Sequence, residues 1–414
     1  MSLAWISVAA LVLAITLSCT TTLNVGVLSL ALALVIGVAL ADMTAAQVLE
    51  GFPIDLFITL VGVTLLFAIA EVNGTLARVT QRAVRLCRGH AGVLPVMFFA
   101  VGFVLATIGA GATPASALLA PPAMAVAARA GVPPFLMALM AGNGALAGTL
   151  SPFAPTGIVA NSKMAEIGLA GFEWQTFAYN ALAHALVGIG GFLLFGGLKL
   201  FRRGAGSANA AEVETAEPMD ARHWLTVVGI VGFIVPVTLF RLNVGMAALI
   251  VAAALVLLRT VDEPKAIARM PWGVILMVTG VTVLIALLRE TEGLALITSG
   301  IANLATPTTI EPIVAFGVGL VSVYSSTSGV VLPAFLPMVP DLAAQLGGLE
   351  PLPIALSMNV AASLVDLSSL STGGALFIAG AAGFADTRKL FNQLLAWGMS
   401  MTLVGAVLCY VLFG

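Results

Sequence analysis

Charged residues are scarce in this chain. Asp, Glu, Lys and Arg make up 9% of its 414 residues, whereas an ordinary soluble domain carries about a quarter. The mean hydropathy is +1.11, and apolar runs of about twenty residues recur, each long enough to cross the ~30 Å hydrocarbon core of a bilayer. The composition excludes a soluble domain and predicts an all-α polytopic membrane protein.

Sequence motifs for catalysis and metal binding are also lacking. The three cysteines, Cys19, Cys87 and Cys409, lie far apart and form no CxxC pair, so neither a disulfide framework nor a metal knuckle is indicated. The sequence contains no HExxH, GxSxG or P-loop pattern. The glycine-rich stretch GAGATPAS (109–116) opens no Rossmann unit. We therefore do not expect an enzyme.

What the chain does contain is an internal repeat. PIDLFITLVGVTLLF from Pro53 aligns with PWGVILMVTGVTVLI from Pro271, and both carry a Gly-Val-Thr triplet at the same place. Further along, TPASALLAP (113–121) aligns with SSTSGVVLP (325–333). NGALAGTLSPFAPTG (143–157) then aligns with NVAASLVDLSSLSTG (359–373). Three matches in the same order predict a duplication.

The distribution of basic residues predicts how the two halves lie in the membrane. Each half is interpreted as five full spans plus one re-entrant hairpin, at 92–130 and 310–346. With the N-terminus outside, all but three of the 17 Lys and Arg then fall in cytoplasmic loops, which is the expected bias. The exceptions are Lys163, Arg241 and Arg289. An odd number of spans per half inverts the halves, an arrangement typical of secondary transporters.

Localisation follows from the same interpretation. We expect a multi-pass protein of the cell (inner) membrane, with both termini outside and a cytoplasmic linker at 199–223. The linker is rich in small and acidic residues. Arg78, Arg82 and Arg85 recur at helical spacing after the third span, which indicates an amphipathic arm lying on lipid phosphates rather than a substrate site.

Small polar residues cluster at four interruptions of apolar runs. Tip 1 (109–116) and tip 2 (324–329) are the predicted ends of the hairpins, and break 1 (147–157) and break 2 (366–373) interrupt the spans that follow. Irregular backbone at membrane depth is tolerated only against protein or a water-filled cavity. Half-helix N-termini suit an anion, and hydroxyl and carbonyl oxygens suit Na⁺. We expect the four to converge on one polar pocket.

These segments supply the candidate site residues. The substrate-binding candidates are Thr113, Ser116, Ser151, Thr156, Ser326, Thr327, Ser328, Ser371 and Thr372. The sodium candidates are Asn143, Gly157, Ser325, Asn359, Asp366 and Gly373.

Each candidate also has a structural interpretation. Hydroxyls in membrane helices often bond back to the i−4 carbonyl, and Asn143 and Asn359 would serve equally well in bonds between helices. Asp366 is an acid within an apolar span. It is interpreted either as a group that binds a cation or carries a proton, or as a structural acid that contacts water at the edge of the pocket. For His184, in another apolar span, a helix-packing hydrogen bond is the favoured interpretation.

At these residues the chain resembles a known superfamily. The order of span, amphipathic arm, hairpin and broken helix, in two inverted copies, resembles the ion transporter superfamily, which includes the divalent anion:sodium symporters. LSPFAPTGIVAN (150–161) is similar to the MatC-type dicarboxylate carriers. The resemblance extends over essentially the whole chain. In the symporters each hairpin tip carries Ser-Asn-Thr, and this Asn is missing from both tips here.

The resemblance implies a scaffold and a transport domain. The scaffold would comprise 1–89 and 224–306, and the transport domain 90–198 and 307–414, on either side of the linker. It also implies an elevator mechanism, a homodimer embedded in lipid, and symport of small di- or tricarboxylates such as malonate, succinate, malate or citrate, with Na⁺ as coupling ion. The alternatives are a proton-coupled carboxylate transporter or a cation/proton antiporter of the same superfamily and, more remotely, a channel.

Overall fold

The computed structural model describes residues 2–21, 23–85, 91–201 and 218–414. Within those ranges all regular secondary structure is helical. Seven continuous helical segments in these ranges are, by length and composition, long and apolar enough to cross a membrane; two of them, Val93–Ala110 and Thr327–Gln345, each join more than one helical element. The prediction of an all-α polytopic membrane protein is confirmed. The predicted linker (199–223) lies mostly outside the described residues, and so does the end of the predicted arm.

In the described residues of the first half there are eleven α-helices. They are α1 (Leu3–Thr20), α2 (Val25–Leu40), α3 (Ala45–Leu49), α4 (Ile54–Val72), α5 (Thr75–Arg85), α6 (Val93–Leu105), α7 (Ala112–Ala130), α8 (Pro134–Ala147), α9 (Pro155–Glu166), α10 (Glu173–Leu194) and α11 (Gly197–Phe201). A π-helical turn, Ala106–Ala110, joins α6 to α7.

The second half repeats this order. Its helices are α12 (Ala221–Phe240), α13 (Val244–Leu257), α14 (Glu263–Arg269), α15 (Trp272–Glu290), α16 (Gly293–Ala302), α17 (Ile310–Tyr324), α18 (Leu332–Phe335), α19 (Val339–Gln345), α20 (Pro351–Leu364), α21 (Thr372–Gly380) and α22 (Thr387–Phe413). A π-helical turn, Thr327–Val331, separates α17 from α18, and a 3₁₀ turn, Leu336–Met338, separates α18 from α19.

The Gly-Val-Thr triplets mark the closest helix contacts between the halves. Helix α4 packs on α13, and α15 packs on α2. A Cβ on Gly280 would meet the backbone of Gly26, and a Cβ on Gly62 would lie 2.6 Å from the carbonyl oxygen of Gly245. Small residues let membrane helices approach closely. The glycine in each triplet is therefore explained by this packing.

Helices α8 and α20 lie at the centre of the region that holds the breaks. Every side chain from Phe135 to Ala147 is buried, and so is every one from Ile354 to Leu364. Helix α8 packs against α6, α7 and α10, and α20 packs against α10, α17 and α22. Since both helices are surrounded by protein, the polar backbone that follows each of them is held away from lipid.

The outer helices present apolar side chains to their surroundings. Val228 on α12, Ile250 on α13 and Val411 on α22 are 65%, 66% and 72% exposed. In water such faces would be unusual, whereas in a bilayer they contact the acyl chains. The exposed apolar surface therefore agrees with the membrane fold.

Candidate functional site

Both predicted tips interrupt a helix, but different residues cause the interruption. At tip 1 the backbone turns at Gly109 and Gly111, whose φ angles of 122° and 80° favour glycine. At tip 2 α17 ends at Tyr324, and Ser326 Oγ accepts a hydrogen bond from the Gly329 amide at 3.0 Å. Glycine thus forms the first tip, and a serine cap forms the second.

Each break is tied by a side-chain hydroxyl to the hairpin of its own repeat, at the tip or just before it. In the first repeat Ser151 Oγ donates to the Thr107 carbonyl oxygen at 2.7 Å. In the second, Thr327 Oγ1 donates to Asp366 Oδ1 at 2.7 Å. Ser371 Oγ contacts the Asp366 carbonyl oxygen, donates to that of Ser368 at 2.7 Å and caps α21. These bonds fix the polar segments relative to one another.

A cavity of about 410 Å³ lies where the four polar segments meet. The candidates that line it are Thr113, Thr156, Ser328 and Thr372, one from each tip and each break. Thr156 and Thr372 lie in the first turns of α9 and α21, where backbone N–H groups are not used within the helix. The cavity therefore offers hydroxyls and helix N-termini, groups that bind a carboxylate.

The opposite wall of the cavity comes from the predicted scaffold. The lining residues there are Thr64, Phe67, Ala68 and Glu71 of α4, Arg269 of α14, and Pro271 and Val274 at the start of α15. Arg269 Nη2 and Nε lie 2.6 Å and 2.7 Å from Glu71 Oε1. No sequence pattern indicates this ion pair, because its partners are 198 residues apart and each resembles an ordinary charge at the end of a span.

A compact cluster of oxygens lies at tip 2 and break 2. Ser322 Oγ is 2.5 Å from Thr327 Oγ1 and donates to the Ala362 carbonyl oxygen at 2.9 Å. Together with the carboxylate of Asp366, these groups supply the hard oxygen ligands that alkali and alkaline-earth cations prefer. A Cβ on Gly373 would lie 3.0 Å from the Asp366 carbonyl oxygen. Sequence reasoning missed Ser322, a single hydroxyl in an apolar helix.

The two asparagines that align in the repeat have different surroundings. Asn143 Nδ2 donates to the Leu139 carbonyl oxygen at 2.9 Å, and its Oδ1 lies 3.0 Å from His184 Nδ1. Asn359 Nδ2 lies 3.3 Å from the sulfur of Met164, and its Oδ1 has no hydrogen-bond partner among the described residues. Both side chains are fully buried. Asn143 belongs to a protein network, whereas the amide oxygen of Asn359 is buried without a hydrogen-bond partner among the described residues.

The remaining candidates do not line the cavity. Ser116 is buried in α7, and Gly157 N donates to the Thr149 carbonyl oxygen at 3.1 Å in break 1. Ser325 is half-buried with an extended backbone after α17. Among the described residues no three His, Cys, Asp or Glu side chains form a cluster that could hold a metal ion. The candidates from the sequence thus supply hydroxyls, amides and backbone groups, with Asp366 as the one acid among them.

Comparison with known proteins supports this view of the molecule. Residues 1–149 match the family model of the dicarboxylate carrier protein MatC N-terminus. The MatC-type resemblance is therefore confirmed for this segment, which contains tip 1, α8 and the start of break 1 and ends just before LSPFAPTGIVAN. No curated protein matches the chain.

A solved structure has a similar fold. The crystal structure of the Alcanivorax borkumensis YdaH transporter superposes with a TM-score of 0.60 at 17% sequence identity, covering 91% of this chain and 88% of that one. The similarity therefore extends beyond the MatC-type segment to most of the chain. Both matches are to transport proteins, in agreement with the expectation that this chain is not an enzyme.

Proposed function

We propose that the protein is a secondary active transporter of small di- or tricarboxylates, of the malonate, succinate, malate or citrate type. The observation that supports this most directly is the cavity in which hydroxyls from both tips and both breaks meet beside two helix N-termini. The match of residues 1–149 to a dicarboxylate carrier family agrees with it. A carboxylate bound there would rest on hydroxyl and N–H donors.

We also propose Na⁺ as the coupling ion. The cluster of Ser322, Thr327, Asp366 and the Ala362 carbonyl supplies a carboxylate and three neutral oxygens close to the cavity wall. Because Thr327 belongs to tip 2 and Asp366 to break 2, a cation between them would help to hold the two segments together. Ion binding would then organise the substrate pocket, which is how symport couples the two ligands.

The second candidate function is proton-coupled transport, and Asp366 is the observation that favours it. Its carboxylate is the acid of the cluster, accepts a hydrogen bond from Thr327 and would itself carry the proton. A cation/proton antiporter would use the same carboxyl. In both alternatives the hydroxyls of the cluster hydrogen-bond to the carboxyl group of Asp366 rather than bind a metal ion. Removing one hydroxyl and removing the carboxylate charge would then affect the Na⁺ and pH dependence of transport differently.

The direction of the cavity and the motion are part of the proposal. The cavity reaches Arg269, whose side chain is 60% exposed, at the end that the basic residues assign to the cytoplasm. We infer an inward-facing state. In an elevator mechanism the tips and breaks would slide past α4 and α15 within a scaffold dimer. Crosslinks between the two domains that trap one state should stop transport.

A thermal-shift screen tests the proposal. The purified protein is heated with malonate, succinate, malate or citrate, in Na⁺ and in choline, because a ligand stabilises the state that binds it. A carboxylate should raise the melting temperature, and more so with Na⁺. Uptake into liposomes driven by a Na⁺ gradient or by a pH gradient then separates the two coupling modes. If no carboxylate shifts the melting temperature with either cation, the carboxylate assignment is wrong.

A further inference from the structure

The ion pair in the scaffold wall of the cavity has no role in the function proposed above. Glu71 lies near the end of α4 and Arg269 at the end of α14, and both line the cavity. Two nitrogens of the Arg269 guanidinium contact the same carboxylate oxygen of Glu71, at 2.6 Å and 2.7 Å. The pair lies on the predicted scaffold rather than on a tip or a break.

Arg269 is the basic residue among the described side chains that line the cavity. Apart from Glu71, the other lining residues are apolar or carry hydroxyls. The Arg269 side chain is 60% exposed, whereas that of Glu71 is 21% exposed. An anion that approaches from the open side therefore meets the guanidinium first, and the attraction is stronger in a cavity than in open water.

Glu71 offers Arg269 the same chemical group that the substrate would bring. Arginine–carboxylate pairs are planar and charge-assisted, and a guanidinium with five N–H donors can exchange one carboxylate for another. The two bonds to a single oxygen of Glu71 use two of these donors. A di- or tricarboxylate could thus engage the guanidinium with one carboxylate while its other end reaches the hydroxyls and helix N-termini.

We propose that Arg269 is the capture residue of this carrier, a scaffold-borne guanidinium that binds one carboxylate of the substrate at the cavity mouth by displacing Glu71. When the substrate leaves Arg269, Glu71 forms the ion pair with Arg269 again, so that neither charge remains uncompensated. This inference rests on the proposed carboxylate transport. It adds a specificity residue that belongs to neither the tips nor the breaks.

This ion pair has no counterpart at the aligned positions of the other repeat. In the alignment of Pro53 with Pro271, Glu71 corresponds to Arg289 and Arg269 corresponds to Gly51. The equivalent positions in the other repeat therefore hold no acid–base pair. Capture by exchange of carboxylates is a property of the open end seen here and is not imposed by the internal repeat.

Equilibrium binding of malonate, succinate, malate and citrate to the purified full-length protein, measured by calorimetry in the presence of Na⁺, tests the inference. Arg269→Gln removes the charge and should weaken binding about 10-fold, the effect of losing one charge-assisted partner. Arg269→Lys keeps a point charge without the planar fork and should recover part of the loss. Glu71→Gln removes the competing carboxylate and should tighten binding severalfold.

The opposite signs of the two single substitutions separate capture from a structural role. A salt bridge that only joins α14 to α4 would give both variants the same lower melting temperature without ligand and the same weaker binding. The double variant should bind as weakly as Arg269→Gln alone. Lys265→Gln is the matched control, since Lys265 lies on α14, is 72% exposed, pairs with Asp262 and does not line the cavity.

The outcomes also distinguish this inference from the proposed function. If the wild type binds malonate or succinate and Arg269→Gln binds it equally well, capture by Arg269 is overturned and carboxylate transport stands. The same conclusion follows if Glu71→Gln weakens binding. If the wild type binds none of the four carboxylates, the proposed function itself fails.

Discussion

Replacement of His184 by Leu should destabilise the protein without changing its ion or substrate dependence. His184 is fully buried in α10. Its Nδ1 lies 3.0 Å from Asn143 Oδ1 on α8, and its Nε2 lies 3.3 Å from Ser363 Oγ on α20. Ser363 Oγ also contacts Asn180 Oδ1. The imidazole therefore joins helices of the two repeats inside the region that holds the breaks.

The magnitude follows from what the substitution leaves behind. Leu has similar bulk, so cavity formation is a minor contribution. Asn143 Oδ1 loses its hydrogen-bond partner in a fully buried position, which costs ~1–3 kcal/mol. Ser363 Oγ can still donate its one proton to Asn180 Oδ1 or to the Val360 carbonyl oxygen. A loss of ~2 kcal/mol in the free energy of unfolding, for a cooperative unit the size of the predicted transport domain (roughly 200 residues), corresponds to a melting temperature lower by ~4–8 °C.

The assay is thermal unfolding in detergent together with Na⁺-dependent uptake in liposomes. The matched control is the pair His184→Leu/Asn143→Leu, because replacing both partners by apolar groups leaves no orphaned acceptor and should recover much of the loss. Should His184→Leu melt like the wild type while its Na⁺ or pH dependence shifts, His184 and Asn143 are part of the ion site and the structural assignment is refuted.

Three further predictions follow from the same contacts. Gly280→Ala places a Cβ against the backbone of α2 and should lower the melting temperature, since overpacking costs ~1–3 kcal/mol. Gly273→Ala is the control, because its Cβ would meet only the side-chain amide nitrogen of Asn24 at 3.7 Å, and equal melting temperatures for the two variants would contradict the packing argument. Thr327→Val should raise the Na⁺ concentration for half-maximal uptake without moving the pH optimum. Asp366→Asn should raise it further under sodium coupling and should abolish the pH dependence under proton coupling. If Asp366→Asn responds to Na⁺ and to pH as the wild type does, Asp366 is structural. A single cysteine at Glu166 should react only with reagents added outside, and labelling from the cytoplasm would reverse the proposed topology.

The sequence alone determined the class of the protein, its repeat and the four segments that form the site. These properties depend on local composition. A charge content of 9% and repeated apolar runs require a membrane fold, and a cluster of Gly, Pro and hydroxyl residues within an apolar run favours an interruption of the helix there. The cavity between tip 1, tip 2, break 1 and break 2 was predictable because irregular backbone in a membrane needs a polar environment.

Only the tertiary structure decided which polar groups face the cavity. Thr113 and Thr156 line it, whereas Ser151, in the same polar segment as Thr156, donates its hydroxyl to the Thr107 carbonyl oxygen just before tip 1. Asn143 and Asn359 align in sequence, yet Asn143 is held by His184, whereas the amide oxygen of Asn359 has no partner in the described part of the chain. The rotation of each helix about its axis sets these differences, and packing against distant helices sets the rotation.

The pairing of Glu71 with Arg269 shows the same limit most clearly. Two charges 198 residues apart come within 2.6 Å because α14 packs on α4, and no local pattern encodes that contact. Sequence periodicity reports which residues avoid lipid or water. The choice of partner across a cavity depends on how the two halves of the chain pack together, and that is a property of the folded molecule alone.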